Sequence, residues 1–160
     1  MSDLFFDESI ILLNQEATTN EEVLSLMADN LIDKGLVKES FKPAIIAREK
    51  EFATGLPTKG FSVAIPHTDV EHVVQKNISV AVLKNPVDFC IMGDAESTTP
   101  VKIVFMLAMD EAHSQLSLLQ RLMQIFQDES TLQTLATETS KETIKNLLAD
   151  KLDFSLEGGE

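Results

Sequence analysis

"VKIVFMLAM", Val101–Met109, is the stretch on which the fold turns. Only Lys102 interrupts its apolar run. A strand with one wet face alternates apolar and polar residues, whereas a strand covered on both faces does not. The stretch therefore predicts a strand buried on both sides. "SQLSLLQRLMQIFQD", Ser114–Asp128, follows it with Leu116, Leu119, Met123 and Phe126 at helical spacing. That stripe is expected to face the core. A doubly covered strand feeding an amphipathic helix predicts an α/β fold: a mixed sheet flanked by helices on both faces, an α/β/α sandwich.

Working outward, "NISVAVLK" (Asn77–Lys84) alternates Ile78, Val80 and Val82, as a strand with one solvated face would. "VDFC" (Val87–Cys90) is expected to pair beside it in a hairpin, which argues against a purely parallel sheet. "TTNEEVLSLMADNLIDKG" (Thr18–Gly35) reads as a helix. Thr19 caps it, Glu22 completes a capping box and Gly35 ends it. "SFKPAIIAREKEFATG" (Ser40–Gly55) reads as a second helix, capped by Ser40, with Pro43 tolerated in the first turn and Gly55 closing the segment. "STLQTLATET" and "SKETIKNLLADKL" complete a helical C-terminal part, and the last residues, about 153–160, are expected to fray.

The 160 residues suit a single domain, 1–160, with one core. Hydrophobic residues make up 44% and charged residues 24%, the balance of a soluble globular protein. No apolar run approaches the ~20 residues that span a bilayer, so no membrane insertion is expected. The N-terminus has no basic region ahead of its apolar residues and does not read as a secretory signal. The single Cys90 fits a reducing cytoplasm. A net charge of −13 disfavours nucleic acid as a partner and favours a protein with a basic docking patch.

The chemistry gathers in "GFSVAIPHTDVEHV", Gly60–Val73. A short strand ends at a proline and a histidine. His67 and His72 are five residues apart, a spacing that does not bring both to one helix face, and no H-E-x-x-H or paired-cysteine pattern is present. No metal and no cofactor is expected. A G-x-S-x-G elbow is absent, and no helix start follows Cys90 to activate a thiolate. There remains His67 as a nucleophile. Its neutral ring is abundant at pH 7, since the unperturbed pKa is about 6.5. Pro66 fixes one backbone torsion and so orients the ring. A backbone carbonyl holding one ring nitrogen would leave the other free. A phosphoryl group on that nitrogen would need cationic donors. Arg48 offers a guanidinium fork, and His113 stands between the buried strand and the clearest helix. Set against this, Arg48 with Glu49 and Glu51 also reads as a solvated charged face, His113 as a turn residue, and His72 as a solvated ring.

"AREKEFATGLPTKGFSVAIPH", with "HSQLSLLQRL" downstream, resembles the fructose/mannitol-type (type 2) enzyme IIA domains of the bacterial phosphoenolpyruvate-dependent sugar phosphotransferase system. The resemblance covers essentially the whole chain. It implies a cytoplasmic phosphocarrier in which His67 accepts phosphate through Nε2 from the phosphocarrier protein HPr. His67 then passes it to a sugar-specific IIB component, which works with a membrane IIC. It implies that Arg48 assists at the phosphate, that His113 is a second histidine beside the site, and that Thr54 is a nearby hydroxyl. Two departures stand out. Ser62 occupies the second glycine position of the G-x-G that precedes V-A-I-P-H in many members. The spacer from Thr54-Gly55 to His67 is longer than in fructose and mannitol types and is similar to that of the galactitol subgroup. The alternative within the same family is a regulatory module, phosphorylated to control a transporter or transcription factor.

Overall fold

The computed structural model describes residues 5–58 and 61–152, without the side chains of residues 95 and 112–115. The tail expected to fray lies outside the described residues.

A long antiparallel hairpin organises the sheet: β4 (Asn77–Ile91) and β5 (Asp94–Ala108), in register from Asn77↔Ala108 to Ile91↔Asp94. Gly93 at the tip has φ 81°, a left-handed conformation glycine adopts without strain. β1 (Ile11–Gln15) lies parallel to β4 along Val80–Leu83, and β3 (Ser62–Ala64) lies parallel to β5 along Val101–Val104. The short β2 (Gly55–Leu56) runs antiparallel to β3 and also meets β4 at Ile91. The sheet is therefore mixed, as expected.

Val87–Cys90 is not a separate strand. It continues β4 after a register shift between Val82 and Val87. Lys84, Asn85 and Pro86 are exposed at that bulge, and Pro86, which has no N–H to give a ladder, is tolerated there. The hairpin expected between Asn77–Lys84 and Val87–Cys90 is instead the β4–β5 hairpin. Nor does Asn77–Lys84 have a wet face, because Asn77 to Leu83 are all buried. The polar residues in the alternation are internal: the Ser79 hydroxyl donates to the Ile10 carbonyl at 2.9 Å, and Asn77 Nδ2 donates to the Gln75 carbonyl at 2.9 Å.

α1 (Asn20–Asp33) and α2 (Phe41–Glu51) cover one face; Val23, Leu24, Met27, Leu31, Phe41 and Ile45 pack there against Ala81, Phe89, Val104 and Met106. Thr19 Oγ1 accepts from Glu22 N–H at 3.2 Å as expected, while the Glu22 carboxylate accepts chiefly from the Thr18 N–H and hydroxyl and more weakly from the Thr19 N–H. Gly35 has φ 73° just beyond the helix. α3 (Ala112–Phe126), α4 (Glu129–Thr137) and α5 (Lys141–Leu152) cover the other face. Two helix layers thus enclose the sheet, and the α/β/α reading stands.

The stripe of α3 differs from expectation. Leu118, Leu122, Ile125 and Phe126 are buried, with Phe126 5.3 Å from Phe105 ring to ring, whereas Leu116 is 56% and Met123 40% exposed. The helix is apolar along two adjacent rows, 116–119–123 and 118–122–125. The second packs against the sheet, with Leu119 partly packed at its border.

Gly55 is where the sheet tolerates no side chain. A Cβ there would stand 2.5 Å from the Cys90 carbonyl oxygen, a backbone atom held in β4. Gly55→Ala is expected to destabilise the fold by about 1–3 kcal/mol through overpacking. A urea midpoint equal to wild type would contradict the tight β2–β4 contact.

Candidate functional site

β3 runs parallel to β5, so the chain leaving Ala64 heads for the end of the sheet where α3 begins. Crevices at strand ends of α/β sheets are favoured binding places. Ile65 and Pro66 are buried there, and the Pro66 carbonyl accepts from Leu107 N–H at 3.0 Å. This stitches the proline turn to the central hairpin and gives His67 a rigid base. The ring itself is partly exposed.

His67 Nδ1 lies 2.8 Å from the Ile65 carbonyl oxygen. A carbonyl only accepts, so Nδ1 carries the proton and Nε2 keeps its lone pair. Burial lowers the His67 pKa below its ordinary value, the Ile65 carbonyl opposes that, and the positive charge of Arg48 lowers it further. The ring is therefore neutral at pH 7, with one nitrogen tied and the other available to attack an electrophile.

Arg48 occupies the last turn of α2, and its influence on His67 places both residues in one electrostatic site. Its guanidinium carbon sits 4.3 Å from the centroid of the Phe52 ring, and its Nε is buried without a hydrogen-bond partner. The neighbouring Glu49 is not part of a solvated face; it is only 4% exposed. Its two carboxylate oxygens take the Thr54 N–H and the Thr54 hydroxyl, each at 2.8 Å. The β2–β3 register, Gly55↔Ala64, brings Thr54 alongside Ile65. The Glu49–Thr54 clamp thus fastens the end of α2 to the start of β2, the strand paired with the one that presents His67. Thr54 is buried, and in this arrangement its one hydroxyl proton is engaged with Glu49.

Sequence reasoning missed Glu49 and Phe52. A signal existed for the first: Phe41, Ile45 and Glu49 recur every four residues and form the buried row of α2. Burial raises the Glu49 pKa to about 7, against the two hydrogen bonds from Thr54, which lower it. Folding therefore takes up a proton between the ordinary carboxyl value of 4.5 and about 7. The stability this group contributes is fully present below about 4.5 and is lost as pH rises through about 7. Glu49→Gln removes that slope. Relative to wild type, the variant is expected to gain about 2.5 kcal/mol between pH 5 and pH 8. Urea midpoints of the two proteins that stay parallel across that range would refute the assignment.

The other histidines divide. His72, expected to be solvated, has a side chain only 17% exposed. Its Nδ1 pairs with Ser40 Oγ at 2.8 Å, and Lys38 N–H donates to its carbonyl at 2.9 Å. Ser40 accordingly makes no side-chain cap on α2; its hydroxyl joins the loop before α2 to the turn after His67. His113 falls in the first turn of α3, just past the end of β5, and its side chain lies outside the described residues. Among the described residues, no three His, Cys, Asp or Glu side chains gather to hold a metal ion. None of the described helices is long and apolar enough to cross a membrane.

Comparison with known proteins points to one family. Residues 4–151 match the model of the phosphoenolpyruvate-dependent sugar phosphotransferase system, EIIA 2. The galactitol-specific EIIA component of Escherichia coli (strain K12) is 30% identical over 137 residues, 86% of this chain and 87% of that protein. The crystal structure of IIA mannitol from Escherichia coli superposes with a TM-score of 0.72 at 26% identity, covering 91% of this chain and all of that one. Enzyme IIA mannitol from the same organism, solved in complex with phosphorylated enzyme IIB, gives a TM-score of 0.75 at 25% identity over 92% of this chain and 99% of that one.

Proposed function

Because the chain belongs to the EIIA 2 family of the phosphoenolpyruvate-dependent sugar phosphotransferase system, and is thus a phosphotransferase component, we propose that His67 Nε2 is its phosphoryl carrier. The observation that carries this reading is the hydrogen bond from Nδ1 to the Ile65 carbonyl, which leaves Nε2 with its lone pair. The donor is the phosphocarrier protein HPr. The Nε2 lone pair forms a P–N bond, the donor's bond to phosphorus breaks, and its electron pair leaves with the donor nitrogen. Nothing is oxidised or reduced. The proton on Nδ1 stays with the ring, held by Ile65, and the second transfer repeats the step toward the IIB component. In-line transfer of this kind needs mainly positioning and charge neutralisation.

Arg48 supplies the neutralising charge, and His113, at the start of α3, adds a donor from the sheet end. Thr54 serves through Glu49. Its hydroxyl can turn to the phosphoryl group only when Glu49 holds a proton and donates to Thr54 Oγ1 in exchange. The sugar served is a galactitol-like polyol, a reading supported by the Escherichia coli galactitol-specific relative and by the long Thr54–His67 spacer. The site of action is the cytoplasm, where a phosphoenolpyruvate-driven chain operates.

The test is incubation with phosphoenolpyruvate, enzyme I and HPr, followed by intact mass measurement. One phosphate should be gained, and it should be lost on adding a galactitol-type IIB. No gain would reject the carrier role. A gain that no sugar-specific IIB discharges would reject transport in favour of a regulatory module.

A further inference from the structure

Arg48 has no ion pair among the described residues, and its buried Nε finds no hydrogen-bond partner. A long side chain with so few polar anchors samples many rotamers, and a charge needed at one place is diluted over all of them. One group does hold it: the guanidinium lies over the face of Phe52 at 4.3 Å. Phe52 is itself unusual, a phenyl ring 53% exposed at the end of α2. Its backbone is fixed, since Phe52 N–H donates to the Arg48 carbonyl at 2.7 Å, closing the last turn of the helix. The ring is thus offered back along the helix to the residue one turn earlier. An aromatic face attracts a guanidinium through its quadrupole and constrains its plane. Stacking occupies one face of the ion and consumes none of its N–H donors.

We propose that Phe52 is a positioning residue for phosphoryl transfer: its ring holds the Arg48 guanidinium in one plane, with its N–H fork free for the phosphoryl oxygens beside His67. This rests on the reading of Arg48 as the charge that neutralises the phosphoryl group. Phe52 touches neither the phosphoryl group nor its nucleophile and acts through Arg48.

Three variants and one combination test it: Phe52→Leu, Phe52→Tyr, Arg48→Ala, and Phe52→Leu with Arg48→Ala. Each is assayed by rapid quench for phosphoryl uptake from phospho-HPr over a range of donor concentrations. The His67 ring of each is titrated by NMR. Phe52→Leu should fall about 10-fold in maximal rate with little change in half-saturation, and Phe52→Tyr, which keeps the ring face, should restore the rate. In the double variant the loss should be no greater than in Arg48→Ala alone, because the ring has then nothing to position. The His67 titration in Phe52→Leu should move toward that of Arg48→Ala. If Arg48→Ala is slow while Phe52→Leu runs at the wild-type rate, Phe52 positions nothing and the inference is overturned. It is equally overturned if Phe52→Leu changes only half-saturation and adds to the Arg48 loss, since Phe52 would then be a contact for the donor protein. Should Arg48→Ala itself transfer at the wild-type rate, the underlying reading of Arg48 fails first.

Discussion

His67→Ala is expected to gain no phosphate from phospho-HPr. The loss is complete rather than partial because the nucleophile itself is removed, and no neighbouring ring can replace it. Nε2 of His67 is left with an available lone pair on a rigid strand end, whereas the second ring of the segment, His72, is turned inward, its side chain only 17% exposed. The fold should be little affected. His67 is partly exposed, and its deletion gives up one hydrogen bond, a contribution of about 1 kcal/mol. Intact mass after a full incubation checks the loss, and a urea midpoint close to wild type shows that the variant is folded. Full labelling of the variant, with the phosphate on His72 or His113, would reassign the carrier.

Arg48→Ala is expected to slow transfer by ~10²-fold or more, since a charge-assisted contact to an oxyanion made in the transition state is worth a few kcal/mol. The total phosphate gained at long times should be nearly unchanged, because the nucleophile survives. A second consequence follows from electrostatics. The Arg48 charge lowers the His67 pKa, so its removal should raise that pKa. The neutral, nucleophilic fraction of His67 then falls at mildly acid pH, and the rate deficit should widen as pH drops through the His67 titration. Rapid-quench rates equal to wild type at neutral pH would return Arg48 to an ordinary surface role.

The layered architecture was legible because Val101–Met109 has no polar alternation and lies between helical periods. The register of the sheet was less so. Asn77 and Ser79 look like the polar side of a half-wet strand, yet both are buried, and the Ser79 hydroxyl and Asn77 amide donate to backbone carbonyls. A sequence displays polarity, not where the partner lies. The same limit applies to α3, whose two adjacent apolar rows look alike in the sequence although only one packs on the sheet. At the site, Pro66-His67 announced itself as a fixed ring at a strand end, and the tautomer-setting carbonyl expected there is Ile65. The residues that support the site were harder to see. Glu49 beside Arg48, Lys50 and Glu51 resembles a charged surface, and only its place in the row with Phe41 and Ile45 hints at burial. Phe52 looks like one more core residue; its use depends on being exposed next to a cation.

In the proposed carrier role, the Ile65 carbonyl sets which nitrogen of His67 takes the phosphoryl group. The most direct test of this is a long-range proton–nitrogen correlation spectrum of the phosphorylated protein, labelled with nitrogen-15 in its imidazoles. Phosphate is expected on His67 Nε2, with Nδ1 still protonated. Phosphate on Nδ1, or on either of the other two rings, would contradict it.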